Sequence, residues 1–287
     1  MFRKYMTSAV LVLAAAGGSY SYYSHSVNNP WTRDGQVRAH IVEVTPRVTG
    51  QIVQLNIRDN QHVEAGDILF KVDDSQYKAE LASAKAAQLQ FEALVKKARS
   101  EQSRAVQLEK RVPGSVPVLT LDNYAIAVET AKANLEAARA KTHEAELLLQ
   151  YTDVTAPVDG FITNLNHRVG SQVVANSPVV ALIDEHSFWV EGFFKETDLD
   201  GVELSQRARV TLLSNSTQSF DGTIESIGFG ISKTDGSTGN ALLPNVNPNF
   251  QWIRLAQRLP VKIKLDSAPE NLQLRVGTTA SVQILAD

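Results

Sequence analysis

Two pairs of carboxylates in this sequence could do acid–base work: Asp73 beside Asp74, and Glu196 two residues before Asp198. General acid–base catalysis uses such pairs when their environments push the two pKa values apart. Both pairs have a simpler reading. Asp73 and Asp74 end an alternating apolar stretch and open a helical one, where acidic residues cap the first turn and meet the positive end of the helix dipole. Glu196 and Asp198, within KETDL, suit a turn at the rim of a sheet. The six histidines, His25, His40, His62, His143, His167 and His186, have no paired helical spacing, so no zinc site is expected. Met1 and Met6 are the only methionines, which leaves no thioether set for copper. No Gly-x-Ser-x-Gly elbow is present, nor a Gly-rich loop ahead of Lys-Ser/Thr. No catalytic, cofactor-binding or metal-ligating residue is assigned, and the protein is not expected to be an enzyme.

Composition narrows the partners. Lysines and arginines number 28 against 31 acidic residues, a net charge of −3, so there is no basic surplus to neutralise a phosphate backbone and nucleic acid is excluded as a partner. The absence of cysteine removes disulfides, thiolate zinc sites, cysteine nucleophiles and a lipid-modified cysteine, and it fits an oxidising compartment. At 43% apolar and 21% charged, the 287 residues are those of a folded chain, long enough for roughly two domains.

The elements follow from periodicity. Arg3 and Lys4 precede an uncharged stretch, residues 5–24, about the length a helix needs to cross ~30 Å of hydrocarbon at ~1.5 Å per residue. Tyr20, Tyr22 and Tyr23 suit the aromatic belt, and the basic pair sets a cytoplasmic start. The expectation is a membrane anchor over 1–24 with the rest of the chain outside the cytoplasm. A cleaved signal peptide, with Ala14-x-Ala16, is the competing reading; the uncharged stretch running well past Ala16 favours the anchor.

Residues 49–74 and 159–184 align without a gap at an offset of 110, pairing Gly50 with Gly160, Ile52 with Ile162, Leu55 with Leu165, Arg58 with Arg168 and Asp74 with Asp184. Each copy alternates apolar and polar residues between turn-forming Gly and Asn, so each reads as short strands. Two copies can close one small sandwich. Between them the period becomes helical: Leu121, Tyr124, Val128, Ala131, Leu135, Ala138, Thr142, Ala145 and Leu149 keep an unbroken 3–4 alternation, the mark of a coiled-coil seam. A weaker seam runs from Tyr77 through Gln88, Phe91 and Gln102 to Ala105. VPGSVP, residues 112–117, holds the only breakers, because Pro113 and Pro117 would each remove a donor inside a helix. Residues 75–150 are therefore expected to form an antiparallel helical hairpin, split from the sandwich halves at 45–74 and 151–184. Its eleven Lys/Arg and nine Asp/Glu are interspersed and solvate its outer face.

The order of an uncharged amino-terminal segment, a lipoyl-like domain split by a helical hairpin and a β-rich region resembles the periplasmic adaptor, or membrane fusion protein, family of the haemolysin-secretion and multidrug-resistance-A type. The resemblance rests on VTPRVTGQIVQLNIRDNQHVEAGDILFKVDD, TDVTAPVDGFI, FWVEGFFKETDL and LRVGTTASVQI, and covers essentially the whole chain. QRLPVKI, residues 257–263, looks like the branch whose pumps export drugs or aromatic carboxylic acids, among them the p-hydroxybenzoate efflux adaptors. The resemblance implies a mainly β protein with an α-helical coiled-coil hairpin: a split lipoyl-like (biotinyl/lipoyl) β-sandwich, a linker and entry strand at 25–44, a β-barrel over 185–231 and a loop and membrane-proximal β module over 232–287. It also implies an inner-membrane transporter and an outer-membrane channel as partners, a homo-oligomeric ring, and no cofactor. A periplasmic envelope scaffold without a transport role is the alternative.

Three further points come from the resemblance. In channel-docking members the hairpin end carries Arg, Leu four residues on and Ser seven further; Arg104, Leu108 and Ser115 fit, although two prolines lengthen this tip. True lipoyl carriers present a Lys where Gln76 falls here, with Lys78 lying beyond it, so no modified lysine is expected. The family often carries Gly shortly after the ETDL strand, whereas this chain has Leu204-Ser205-Gln206, so a different turn is expected there.

Overall fold

The computed structural model describes residues 16–18, 29–230, 256–266 and 274–285. The chain forms two compact units: Ile41–Asp184, and the residues up to His40 together with those from Glu185 on. Strand β1 (Trp31–Arg38) belongs to the latter.

In the Ile41–Asp184 unit each half of the repeat contributes four strands in the same order. The first half gives β2 (Ile41–Val44), β3 (Gly50–Leu55), β4 (His62–Val63) and β5 (Ile68–Val72), and the second gives β6 (Asp153–Thr155), β7 (Gly160–Thr163), β8 (Gln172–Val173) and β9 (Val180–Asp184). They build two sheets, ordered β2-β9-β7-β4 and β6-β5-β3-β8, so each sheet takes its inner pair from one half and its edges from the other. The pairing is reciprocal. Gly50 opposes Val173 while Gly160 opposes Val63, and Ile52 opposes Val72 while Ile162 opposes Leu182. Exchanging the halves through the offset of 110 turns each pair into the other. Ile52, Leu69, Phe70, Val72, Ile162 and Leu182 are fully buried in the core, each contributing roughly 1.5–3 kcal/mol. The sandwich starts at Ile41 rather than at residue 45, because β2 pairs with β9 as β6 pairs with β5.

Helices α1 (Ser75–Arg111) and α2 (Val118–Gln150) form the hairpin inserted between β5 and β6. Val128, Leu135, Ala138, Thr142 and Ala145 of α2 are buried, all of them on the 3–4 seam. On α1 only Val95 is buried, since its seam includes the half-buried Gln88 and Gln102. At the base the two adjacent aspartates divide their work. The Asp73 carboxylate accepts from the Ser75 N–H (3.0 Å) and hydroxyl (2.6 Å). Asp74, the residue at the cap position, makes no cap hydrogen bond and instead holds Lys71 (2.9 Å) and Lys78 (3.0 Å), with Lys71 reaching on to Asp153 (3.3 Å).

The other unit is a closed six-stranded barrel ordered β1-β10-β13-β12-β11-β14, with β10 (Trp189–Lys195), β11 (Arg207–Leu212), β12 (Asn215–Ile227), β13 (Arg258–Leu265) and β14 (Thr279–Ile284). Val37, Val190, Phe194, Val210, Ile263 and Val282 fill its interior, at the alternate positions that point inward. This corrects the expectation of a barrel over 185–231 with a separate membrane-proximal module over 232–287. β13 lies between β10 and β12, and β14 joins β11 to β1. The reason is closure: β10, β11 and β12 alone would leave open edges, whereas the two later strands and β1 pair every edge. Glu196–Asp198 form a 3₁₀ turn directly after β10. Ser205 makes the following turn in the left-handed region, φ 69°, without the glycine that the family often places there.

The expected anchor at 1–24 lies outside the described residues except for 16–18, as do residues 231–255, where the expected loop of the 232–287 segment falls. Among the described residues no helix is long and apolar enough to cross a membrane.

Candidate docking site

The hairpin tip is organised by one carboxylate. α1 closes with the Val112 N–H on the Leu108 carbonyl (2.9 Å), Gly114 turns the chain at φ 83°, and the Ser115 N–H returns to the Val112 carbonyl (3.1 Å). Glu109 supplies the remaining acceptors: Oε1 takes the Gly114 N–H at 2.7 Å, and Oε2 takes the Val116 N–H at 2.9 Å and the Ser115 hydroxyl at 3.4 Å. These bonds, that from Gly114 foremost, hold the Glu109 carboxyl below the ordinary glutamate range. On the far side of the turn, α2 starts with the Thr120 N–H on the Pro117 carbonyl at 2.9 Å.

Around this turn the chain exposes large apolar side chains: Leu108 (49%), Val112 (55%), Val118 (75%) and Leu119 (72%). Of the residues singled out by the Arg-Leu-Ser spacing, Arg104 and Leu108 stand one helical turn apart on α1 and both are exposed. Ser115 is exposed in the turn, with its hydroxyl directed to Glu109. Glu109 escaped the sequence reading because it looks like one more charge on a solvated face. Its one signal is its place: a carboxylate in the last turn of a helix faces the negative end of the dipole, and here it is offset by the donors of the turn.

The Ile41–Asp184 unit has further features away from the tip. A cleft of about 710 Å³ opens beside β2 and β6, each the outer strand of its sheet, and there Arg47 lies 4.7 Å over the Tyr151 ring. The carboxyls among the described residues whose pKa is displaced, Asp73, Asp74, Glu109 and Glu129, are all displaced downward, each by the hydrogen bonds it accepts. Lys78, the lysine nearest the carrier position, is committed to Asp74.

Comparison with known proteins decides the family. The model of the RND MFP barrel-sandwich hybrid domain matches residues 40–185, and that of the AAEA-like β-barrel domain matches residues 187–285. The chain belongs to the membrane fusion protein family of periplasmic adaptors. This adaptor is 35% identical to the uncharacterized protein YdhJ of Escherichia coli K12, over 98% of its own length and 97% of the relative's. In fold it is similar to MacA from Actinobacillus actinomycetemcomitans, with a TM-score of 0.68 and 22% identity over 89% of this chain and 78% of that one. It is also similar to the membrane fusion protein Spr0693 of Streptococcus pneumoniae R6, with a TM-score of 0.65 and 15% identity over 90% of this chain and 99% of that one. Membership of the family implies a place in the cell envelope.

Proposed function

We propose that this adaptor links an inner-membrane transporter to an outer-membrane channel for export of drugs or aromatic acids, and that the hairpin tip is its channel-facing end. The observation that carries this reading is the exposure of Leu108, Val112, Val118 and Leu119 on a hairpin that buries its own seam. A chain able to bury its apolar residues leaves a cluster in water where a partner covers it. In this reading Leu108 contacts the channel, Arg104 flanks the contact and Ser115 contributes to the turn. A single-pass anchor with a cytoplasmic amino terminus holds the body in the periplasm. Copies associate head-to-tail, since heterologous contacts that close produce a ring. The chain itself supplies no energy; the transporter does.

The test is affinity purification of the full-length protein from its native membrane after mild crosslinking, compared with a chain in which a short Gly-Ser turn joins Gln88 to Thr142. An inner-membrane transporter is expected with both forms and an outer-membrane channel with the wild type alone. Recovery of neither from either form removes the export reading and favours an envelope scaffold.

A further inference from the structure

The turn at residues 112–117 poses a complete hydrogen-bond account. Pro113 and Pro117 have no N–H, so the turn holds four backbone donors: Val112, Gly114, Ser115 and Val116. Backbone carbonyls take two of them, Val112 onto Leu108 and Ser115 onto Val112. The Glu109 carboxylate takes the other two, Gly114 and Val116, one on each oxygen, and the Ser115 hydroxyl as well. A neutral side chain cannot replace it: a glutamine at this position has one acceptor oxygen and would turn a donor toward the second N–H.

We propose that Glu109 is the positioning residue of the hairpin tip, the carboxylate that holds the 112–117 turn closed so that Leu108, Val112, Val118 and Leu119 are presented together as the docking surface. This rests on the reading of the tip as the docking end. The family pattern draws attention to Ser115, but the geometry gives that hydroxyl a subordinate part, one contact of 3.4 Å beside two charge-assisted bonds of 2.7 and 2.9 Å. The other charged groups of the tip are Lys110 and Arg111 on α1 and Asp122 on α2. The downward displacement of the Glu109 carboxyl comes from the turn's own donors rather than from these charges. The closed turn therefore survives acidification through the ordinary glutamate range and opens below it.

The experiment uses the full-length protein in detergent, labelled with 15N-glycine and 15N-valine, as wild type, Glu109→Gln and Glu101→Gln. Glu109→Gln is expected to lower the exchange protection of the Gly114 and Val116 amides by about tenfold and to leave Val128, in the buried seam, unchanged. Glu101→Gln, which removes a like charge from α1 below the tip, is expected to keep wild-type protection. In the wild type the Gly114 and Val116 signals shift together with a midpoint below the ordinary glutamate value, and in Glu109→Gln that titration disappears. Unchanged protection and titration in Glu109→Gln overturn the proposal. A photo-crosslinker at Leu119, read by mass spectrometry of the outer-membrane fraction, tests the link to docking. Capture that falls in Glu109→Gln but not in Glu101→Gln supports it, and capture equal in wild type and Glu109→Gln overturns the positioning role. A wild-type tip that captures nothing while the amides behave as described removes the channel reading and leaves the turn chemistry standing.

Discussion

Asn60 and Gly170, 110 residues apart, take the same left-handed backbone, φ 62° and 95°, and each donates its N–H to the isoleucine of the other half: Asn60 to Ile162 at 2.9 Å and Gly170 to Ile52 at 2.8 Å. The next turn repeats the exchange with the residue types swapped, Gly66 (φ 93°) donating to Ala156 and Asn176 (φ 62°) to Pro46. Gly and Asn are the residues that enter this region at least cost. The two halves thus keep one backbone, and their hydrogen bonds cross between them, so neither half closes without the other.

The two symmetry-related glycines differ in what surrounds them. A Cβ on Gly160 would overlap the backbone carbonyl of Ile183, which β9 pairing holds in place, whereas a Cβ on Gly50 would come within 2.5 Å of Val72 Cγ1, a side-chain atom that can yield. Gly160→Ala is expected to cost about 3 kcal/mol and Gly50→Ala about 1 kcal/mol, the upper and lower ends for an overpacked site. Urea denaturation of both variants checks the order; equal losses would mean that the Ile183 backbone moves freely.

At Ser205 the expected change is a gain. Its φ of 69° strains a residue with a Cβ, and its N–H is already engaged with the Ile224 carbonyl at 2.9 Å, a bond glycine would keep. Ser205→Gly is expected to stabilise the barrel by about 0.5–1 kcal/mol after the added freedom of the unfolded chain is counted. Ser205→Val should lower the thermal midpoint, because a β-branched side chain fits the left-handed region worst.

The hairpin and the sandwich were legible in the sequence because their signals are long and redundant. A 3–4 alternation sustained from Leu121 to Leu149 fixes one helical face, and the buried residues Val128, Leu135, Ala138, Thr142 and Ala145 lie on it. The repeat at offset 110 carries the pairing as well as the strands, since Gly50 and Gly160 mark equivalent positions. Barrel closure was not legible. Arg258–Leu265 and Thr279–Ile284 alternate in the same way whichever strand they join, and their partners on β10, β11 and β1 are distant in sequence, so nothing local distinguishes barrel staves from a separate module. Glu109 stayed hidden because its role is set by donors supplied by a turn five to seven residues away.

The hairpin base predicts a pH response. Lys71, and after it Lys78, hold the Asp74 carboxyl below the ordinary aspartate value of 3.8. A carboxyl depressed in the folded state stabilises fully above its unfolded pKa, and the contribution is lost as the pH falls through the lower folded value. Asp74→Asn is therefore expected to cost about 1 kcal/mol or less at neutral pH, since the lysines are partly exposed. Its stability curve should converge on that of the wild type in acid. Urea midpoints at pH 7 and near pH 2 measure this, and a constant difference across that range would show that Asp74 acts by packing rather than by charge.

The exposed tip allows binding to be tested apart from stability. Leu119 is 72% exposed at the start of α2 and lies outside the buried seam, so Leu119→Asp removes apolar contact area at the tip and nothing from the hairpin core. Exposed substitutions of this kind change stability by about 0.5 kcal/mol or less, and an aspartate in the first helical turn also suits the dipole. Leu135→Ala, at the opposite extreme, empties a buried seam position and is expected to cost about 2–3 kcal/mol. If the tip docks by apolar contact, Leu119→Asp abolishes recovery of the outer-membrane partner while helix content and the urea midpoint stay at wild-type values. Leu135→Ala should then lower the midpoint yet keep partner recovery under conditions where the hairpin remains folded. Partner recovery that followed stability instead of tip exposure, failing in Leu135→Ala and surviving in Leu119→Asp, would move the contact away from the tip and onto the hairpin flanks.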